Sequence, residues 1–429
     1  MSAPVIEVLI WGARVGALAP DPALGVYAFA YQPSWRRKAI ELAPLMMPIA
    51  DRRDTFLFPN LPKATFNGLP GMAADALPDD FGNALIDAWM AEHGVQKSEV
   101  TTLDRLAYMG KRGMGALEFR PARGSQKESA APLRMKSLVD EARKLVSGNV
   151  GIDAHAKAAM ANMIRVGTSA GGARAKAVIA WNPKTNEIRS GQFDAAPGFE
   201  HWILKFDGVG QYPELGVGED YGRIEYAYYK MATAAGIQMS ESRLLEENSR
   251  AHFMTKRFDR DLTKGRTIKH HVQSLCAMNH MDFKQRATHS YAQLFMTAAQ
   301  LGLPDEAIQE IFRRMAFNVM ARNCDDHTKN FAFILKEGHR WELSPAYDVT
   351  HAYNPKGEWT YQHLMSVNGK FDDITREDLL AEADRFSVRR AKDQLAAVRG
   401  AIENWTDYAR KAKLQSAATE RVSEDFRLL

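Results

Sequence analysis

The stretch Asn323-Cys324-Asp325-Asp326-His327-Thr328-Lys329-Asn330-Phe331, followed by Ser344-Pro345-Ala346-Tyr347-Asp348, constrains this chain more than any other. It sets Asp325, an Asn five positions later and a second Asp 18 positions beyond that Asn. Such a set suits one chemistry. A carboxylate accepts or orients a hydroxyl proton, while an amide oxygen and a second carboxylate hold a hard cation against anionic oxygens. The apolar run from Phe331 to Leu335 predicts a strand, and Trp341 to Leu343 predicts its partner. Asn330 and Asp348 then flank a hairpin and converge. A solvated Asp-Asp turn capping a helix is the plain alternative. It accounts for the Asp325-Asp326 pair but not for the three spacings together.

Protein kinases use this order of catalytic Asp, metal-binding Asn and metal-binding Asp. Asp325 is the expected catalytic residue, with Asp326 a competitor for that role. Asn330 and Asp348 are the expected metal ligands. His327 is expected either to contact phosphate or to brace the loop.

A chain of 429 residues exceeds one small core and predicts two or three packed units. Its 45% hydrophobic and 25% charged content is that of an ordinary globular protein, and a net charge of +4 does not point to nucleic acid by itself. Cys276 and Cys324 make neither a disulfide framework nor a zinc site. With Cys324 inside the acidic motif, a reducing cytoplasm is the expected setting. The N-terminus lacks the basic and apolar regions of a signal peptide, and no apolar window is long enough to predict a membrane span.

Residues 1–123 read as a mixed α/β unit. Val5 to Trp11 and Gly25 to Tyr31 predict strands joined by a turn-rich segment, and Leu85, Ile86 and Trp89 mark a helix between Ala84 and His93. Residues 124–132 suit a linker, and Leu133 to Val146 and Ala158 to Met163 are helical in pattern. Residues 133–255 then read as a second α/β unit, with strands at Ala177 to Trp181, Trp202 to Phe206 and His252 to Arg257. A helix runs from Arg223 to Ala235 and stops at Gly236. From 256 to 429 the pattern is mainly helical, through Tyr291 to Leu301, Asp305 to Ala321 and Arg376 to Trp405. The expected fold is α+β and bilobal, kinase-like: a strand-containing small lobe, a helical large lobe and an extra N-terminal α/β domain.

Three further constellations fit an ATP site. The run Gly167 to Lys176 has three glycines, which let backbone N–H groups approach phosphate. Within it Ser169, Ala170, Gly171 and Gly172 are the expected contacts. It is neither a Walker A sequence nor a Gly-x-Gly-x-x-Gly loop. Lys205 sits in an apolar strand, where a buried ammonium is costly unless paired, and Glu225 in the next helix is the candidate partner. Met254 to Arg260 reads as a hinge in which Phe258 packs on adenine, or equally as a generic strand end. His270-His271 have no carboxylate or Cys at metal-ligand spacing.

The ordered set resembles the HipA family, the kinase toxins of bacterial HipBA toxin–antitoxin modules. The resemblance spans nearly the whole chain. It is carried by Val8-Leu9-Ile10-Trp11-Gly12-Ala13-Arg14-Val15-Gly16, Met114-Gly115-Ala116-Leu117-Glu118-Phe119, Arg257-Phe258-Asp259-Arg260, Asn323 to Phe331, and Pro345-Ala346-Tyr347-Asp348. It implies Asp325 as catalytic Asp, Asn330 and Asp348 as Mg2+ ligands, and Lys205 as the ATP-phosphate lysine. It further implies Ser169 as an autophosphorylation site, with Thr168 beside it as a competitor, and a loop that leaves the site once modified. The implied partner is a HipB-like helix-turn-helix antitoxin that carries the operator-DNA contacts. The implied substrate is a protein, such as an aminoacyl-tRNA synthetase. Lys256 and Gln273-Ser274 stand where family members often carry acidic residues. Two other readings remain: a dead kinase fold acting as co-repressor, and a small-molecule phosphotransferase.

Overall fold

The computed structural model describes residues 5–122, 175–192, 194–207, 220–247, 250–263 and 266–429. The expected linker at 124–132, the helices at 133–146 and 158–163, and Gly167 through Arg174 lie outside them. The chain forms two compact units. The first takes Met1–Gly210, Lys256–Asp282 and Ile334–Arg340, and the second takes Gln211–Thr255, Phe283–Phe333 and Trp341–Leu429.

The first unit begins with an antiparallel sheet in the order Val26–Tyr31, Ala13–Asp21, Ile6–Ile10, Glu118–Arg120. The nine-residue strand Ala13–Asp21 corrects the expected turn-rich segment. Gly16, Pro20 and three alanines hide it from β-propensity. Pairing explains it instead. Ile10 faces Ala13 across a two-residue loop of Trp11 and Gly12, both at positive φ (48° and 74°), the tight turn that twists with its strands. Gly16 is needed where it stands, because a Cβ there would run into the Ala30 carbonyl oxygen. The expected helix appears as Asp80–Glu92, with the Asp79 side chain accepting from the Gly82 N–H as its N-cap. Farther along, Ile188–Ser190 and Glu200–Lys205 flank Lys176–Trp181 in antiparallel pairing.

Within the segment from 256, read as mainly helical, strands stand at Arg260–Thr263, Arg266–Lys269 and His271–Ser274. Asp259, fully buried, explains how this segment is fixed. Its carboxylate accepts from Arg257 Nε at 2.8 Å, Arg257 Nη2 at 2.7 Å, Arg260 Nη1 at 2.9 Å and the Gly115 N–H at 2.7 Å. Both arginines also donate to the Gly113 carbonyl. Burial opposes the Asp259 charge, but the two guanidiniums outweigh it and hold the carboxyl well below its usual range. Asp259→Ala leaves two buried guanidiniums unpaired, so a loss of about 3–5 kcal/mol is expected. Urea unfolding of the variant measures it, and a loss under about 1 kcal/mol would contradict this account.

The second unit is built on helices Tyr221–Ala234, Tyr291–Gln300, Asp305–Met320, Arg376–Arg385, Ala391–Glu403, Trp405–Lys411 and Ser416–Glu424, with a hairpin of Ser242–Glu247 and Arg250–Lys256. The single pattern from Arg376 to Trp405 is in fact broken between Arg385 and Ala391, where Ser387 and Arg390 take left-handed φ (56° and 51°). Capping boxes start two of these helices, Ser290 with Gln293 and Thr375 with Asp378. Tyr228 lies at the centre, fully buried against Phe317 and Trp405, and its hydroxyl donates to the Ala321 carbonyl at 2.6 Å. That bond satisfies a carbonyl at the end of helix Asp305–Met320, the point from which the acidic loop departs. Among the described residues no helix is long and apolar enough to cross a membrane.

Candidate active site

Asp325, His327, Asn330 and Asp348 all lie in the second unit. Arg322, left-handed at φ 54°, turns the chain out of helix Asp305–Met320. The next residues run extended beside Ala352: the Cys324 N–H donates to the Ala352 carbonyl at 2.9 Å, and Ala352 N–H returns to Arg322 at 3.2 Å. A one-turn 3-10 helix, Thr328–Asn330, then folds the chain back. This turn explains the five-residue spacing. It brings the Asn330 amide nitrogen within 2.6 Å of the Asp325 backbone carbonyl, to which it donates. The bond fixes the amide and leaves Oδ1 as its ligating atom.

The second carboxylate arrives by the hairpin of Ala332–Leu335 and Trp341–Leu343, closed at its base by Ser344 N–H to the Ala332 carbonyl at 3.0 Å. Tyr347 donates its hydroxyl to the Lys329 carbonyl at 2.6 Å, so the neighbours of Asp348 and Asn330 are tied directly. Beneath, the buried Arg314 donates to the Ser344 carbonyl at 2.8 Å and to Glu310 at 2.9 Å. Asp348 sits at left-handed φ 52°. It is near enough to Asp325 for its charge to be felt there. Burial first, then the charges of Asp348 and Asp326, raise the Asp325 carboxyl above its usual range, against the opposing pull of His327 and Trp359.

The adjacent carboxylates differ in their surroundings. Asp326 is 1% exposed and both its oxygens are occupied: Oδ1 by the Leu364 N–H at 2.7 Å, and Oδ2 by His363 Nδ1 at 2.9 Å and the Tyr291 hydroxyl at 2.8 Å. Burial works against a charged His363, but Cys324 and Asp326 outweigh it and lift the imidazole to about 10. Asp325 keeps 29% of its side chain exposed and accepts the Trp359 indole N–H at 2.8 Å. His327 places Nε2 3.6 Å from Asp325 and tilts its ring on Phe283.

Tyr291, Trp359 and His363 were not legible as parts of this site. They lie more than 30 residues from the acidic pair on either side, and no spacing rule joins them to it. The one available signal was a Trp at the end of the polar run Asn354 to Glu358.

The remaining expected residues fall elsewhere. Lys205 ends strand Glu200–Lys205 in the first unit, half-buried and opposite Lys176, which is itself buried 3.7 Å from Asp79. Glu225 is 2% exposed in helix Tyr221–Ala234 of the second unit. Phe258 is half-buried on the turn between Arg257 and Asp259. Ser169, Ala170, Gly171 and Gly172 lie outside the described residues. The two departures have local partners: Lys256 reaches Glu200 at 2.7 Å, Gln273 donates to the Leu42 carbonyl, and Ser274 caps its helix and donates to Asp75 at 2.9 Å.

Among the described residues no three His, Cys, Asp or Glu gather as a metal cluster. Asn330 and Asp348 offer one amide and one carboxylate oxygen donor. Mg2+ is held by few protein ligands of this hard type, with water and phosphate completing its shell, so the donor set fits it. The charges of Asp348 and Asp326, which add to burial in raising the Asp325 carboxyl, suit a cation as well.

Fold and site together define a mixed α+β protein with a kinase-like fold. Residues 6–120 match the family model described as the HipA N-terminal domain, and residues 168–420 match the HipA-like C-terminal domain. The chain belongs to the HipA family. Among solved structures it is similar to HipA of Shewanella oneidensis MR-1, determined with HipB and its operator DNA. That match has a TM-score of 0.66 at 18% identity, over 98% of this chain and 94% of that one, and it establishes the fold. A proinflammatory kinase of Helicobacter pylori, CtkA, aligns with a TM-score of 0.32 at 12% identity, over 52% of this chain and 91% of that one. No curated protein matches.

Proposed function

We propose that this chain is an ATP- and Mg2+-dependent serine/threonine protein kinase of the HipA kind. The observation that carries the reading is the convergence of Asp325, Asn330 and Asp348 through the Asn330–Asp325 and Tyr347–Lys329 hydrogen bonds. Asp325, part-exposed and next to the two metal-type ligands, orients the acceptor hydroxyl and takes up its proton. Asn330 Oδ1 and the Asp348 carboxylate are the groups that would hold Mg2+, which when bound neutralises charge on the phosphate oxygens of ATP. Lys205, Glu225, His327 and Phe258 are assigned to ATP on the strength of the motif order, as is the run through Ser169, Ala170, Gly171 and Gly172. The domain reading attached to this function is an N-terminal domain at 1–123, a small lobe at 133–255 and a large lobe at 256–429.

The partner proposed is a HipB-like helix-turn-helix antitoxin, with operator DNA contacted mainly through it. The solved relative carries both. The acceptor is a protein hydroxyl, such as one on an aminoacyl-tRNA synthetase, and the setting is the cytoplasm. Ser169 is the proposed site of autophosphorylation. A phosphoserine adds a charge of about −1.5 to −2, which repels the nucleotide phosphates and drives the loop away.

Incubation with Mg2+ and γ-labelled ATP, read by intact-mass and peptide mass spectrometry, tests the proposal. The expected result is one phosphate on Ser169 in the wild type and none there in Ser169→Ala. An unmodified starting protein that consumes no ATP would favour the dead-kinase co-repressor. Label passed to a metabolite and to no protein would favour the small-molecule phosphotransferase.

A further inference from the structure

The acidic pair raises a question that the kinase reading leaves open: what makes Asp325, of two adjacent carboxylates, present an oxygen to a substrate. One short segment, Trp359 to Leu364, supplies donors to both. The Leu364 N–H and His363 Nδ1 engage Asp326, and Trp359 Nε1 engages Asp325 Oδ1. An indole nitrogen is a donor only, so the direction of that bond is fixed. His327 Nε2 approaches the same Oδ1 at 3.6 Å. Among the described residues no donor reaches Oδ2.

We infer that Trp359 is a positioning residue of the acceptor site, which locks the Asp325 carboxylate through Oδ1 so that Oδ2 faces the incoming hydroxyl. Its own placement is determined by its loop. The Asn354 N–H closes on the Thr360 carbonyl at 3.2 Å, and the Gly357 N–H turns onto Asn354 at 3.0 Å. Arg286 donates to the carbonyl of Glu358, the residue just before Trp359. The Trp359 and His327 rings meet in a T-shaped contact, and His327 is itself braced by Phe283, so the indole has a ring neighbour as well as the bond at its nitrogen. A carboxylate held at one oxygen loses a rotation that would otherwise be frozen only at the transition state, which is how a distant donor raises turnover without touching substrate.

This inference rests on the kinase reading, and two measurements separate their failures. Trp359→Phe keeps an aromatic ring at the position and removes the N–H. Its expected effect is a fall in kcat of about ten- to a hundredfold, with KM for ATP within about twofold of wild type, because the bond serves the acceptor rather than the nucleotide. The second measurement needs no activity. In a proton–nitrogen NMR spectrum the Trp359 indole N–H, identified by its disappearance in Trp359→Phe, is expected downfield and moves upfield in Asp325→Ala. A wild type that transfers phosphate, with Trp359→Phe unchanged in kcat, overturns the inference. An indole resonance indifferent to Asp325→Ala also overturns it. A wild type that transfers no phosphate, with the indole shift present, overturns the kinase reading and leaves the Trp359–Asp325 contact standing.

Discussion

Asp325→Ala is expected to cut phosphotransfer by about 10²–10⁴-fold at little or no cost in stability, and Asp326→Ala is expected to destabilise the protein strongly. The two residues are adjacent and chemically identical, so the difference comes from their partners alone. Asp325 is a carboxylate whose ionised form the fold disfavours: burial raises its pKa, as do the charges of Asp348 and Asp326. With the folded-state value above the unfolded one, the charged group at neutral pH opposes folding, and its removal relieves that repulsion. Groups held at a cost to stability are common where function requires them. Asp326 is the opposite case. It accepts three hydrogen bonds and neutralises a buried imidazolium. Its loss strands His363 and the Tyr291 hydroxyl, a change of about 3–5 kcal/mol. Urea unfolding and the labelled-ATP assay, run on both variants, check the pair. An Asp325→Ala protein with near-normal transfer would sink the catalytic assignment. An Asp326→Ala protein of wild-type stability would sink the account of the buried hub.

This contrast marks where sequence reasoning stopped. The spacing of Asp325, Asn330 and Asp348 was legible because local geometry fixes it: one 3-10 turn and one hairpin bring the three together. The choice between Asp325 and Asp326 was not legible. It depends on Trp359, His363 and Tyr291, which reach the loop from separate segments. The same division runs through the fold. Helices Tyr291–Gln300 and Asp305–Met320 announce themselves by apolar periodicity and first-turn signals. Strand Ala13–Asp21 does not, because its stability lies in pairing on both edges and in a glycine that the neighbouring strand requires. The Arg257-Phe258-Asp259-Arg260 motif shows a third limit. Read as a hinge, it centres on Phe258. In the structure its charged residues form a buried knot with the backbone of Gly113 and Gly115, at the start of a second family-like motif more than 140 residues earlier.

The first unit is expected to lose stability steeply as pH falls from about 6.5 to about 4. Three of its histidines are held neutral. Burial lowers His271 and His280 to about 4 each. His201 is lowered to about 3 by burial, then by Arg257 and Arg260, with Asp259 opposing. The bonding of His280 agrees with a neutral ring, since its Nε2 accepts the Gly71 N–H at 2.9 Å and a proton there destroys the contact. The sign follows from the direction of the shifts. Above 6.5 neither folded nor unfolded chain carries these protons, and stability is full. Below it the unfolded chain takes them up first, and stability falls until the folded values are reached. A depression of about 2.5 units for His271 and His280, and about 3.5 for His201, is worth on the order of 3–5 kcal/mol for each histidine. Three of them approach the whole stability of a typical domain, about 5–15 kcal/mol. The window also separates histidines from the paired Asp259, whose folded carboxyl is held far below it. Denaturant unfolding at a series of pH values measures the slope, and the double variant His271→Gln, His280→Gln is expected to flatten it. A slope in the double variant equal to that of the wild type would mean that the acid sensitivity arises elsewhere.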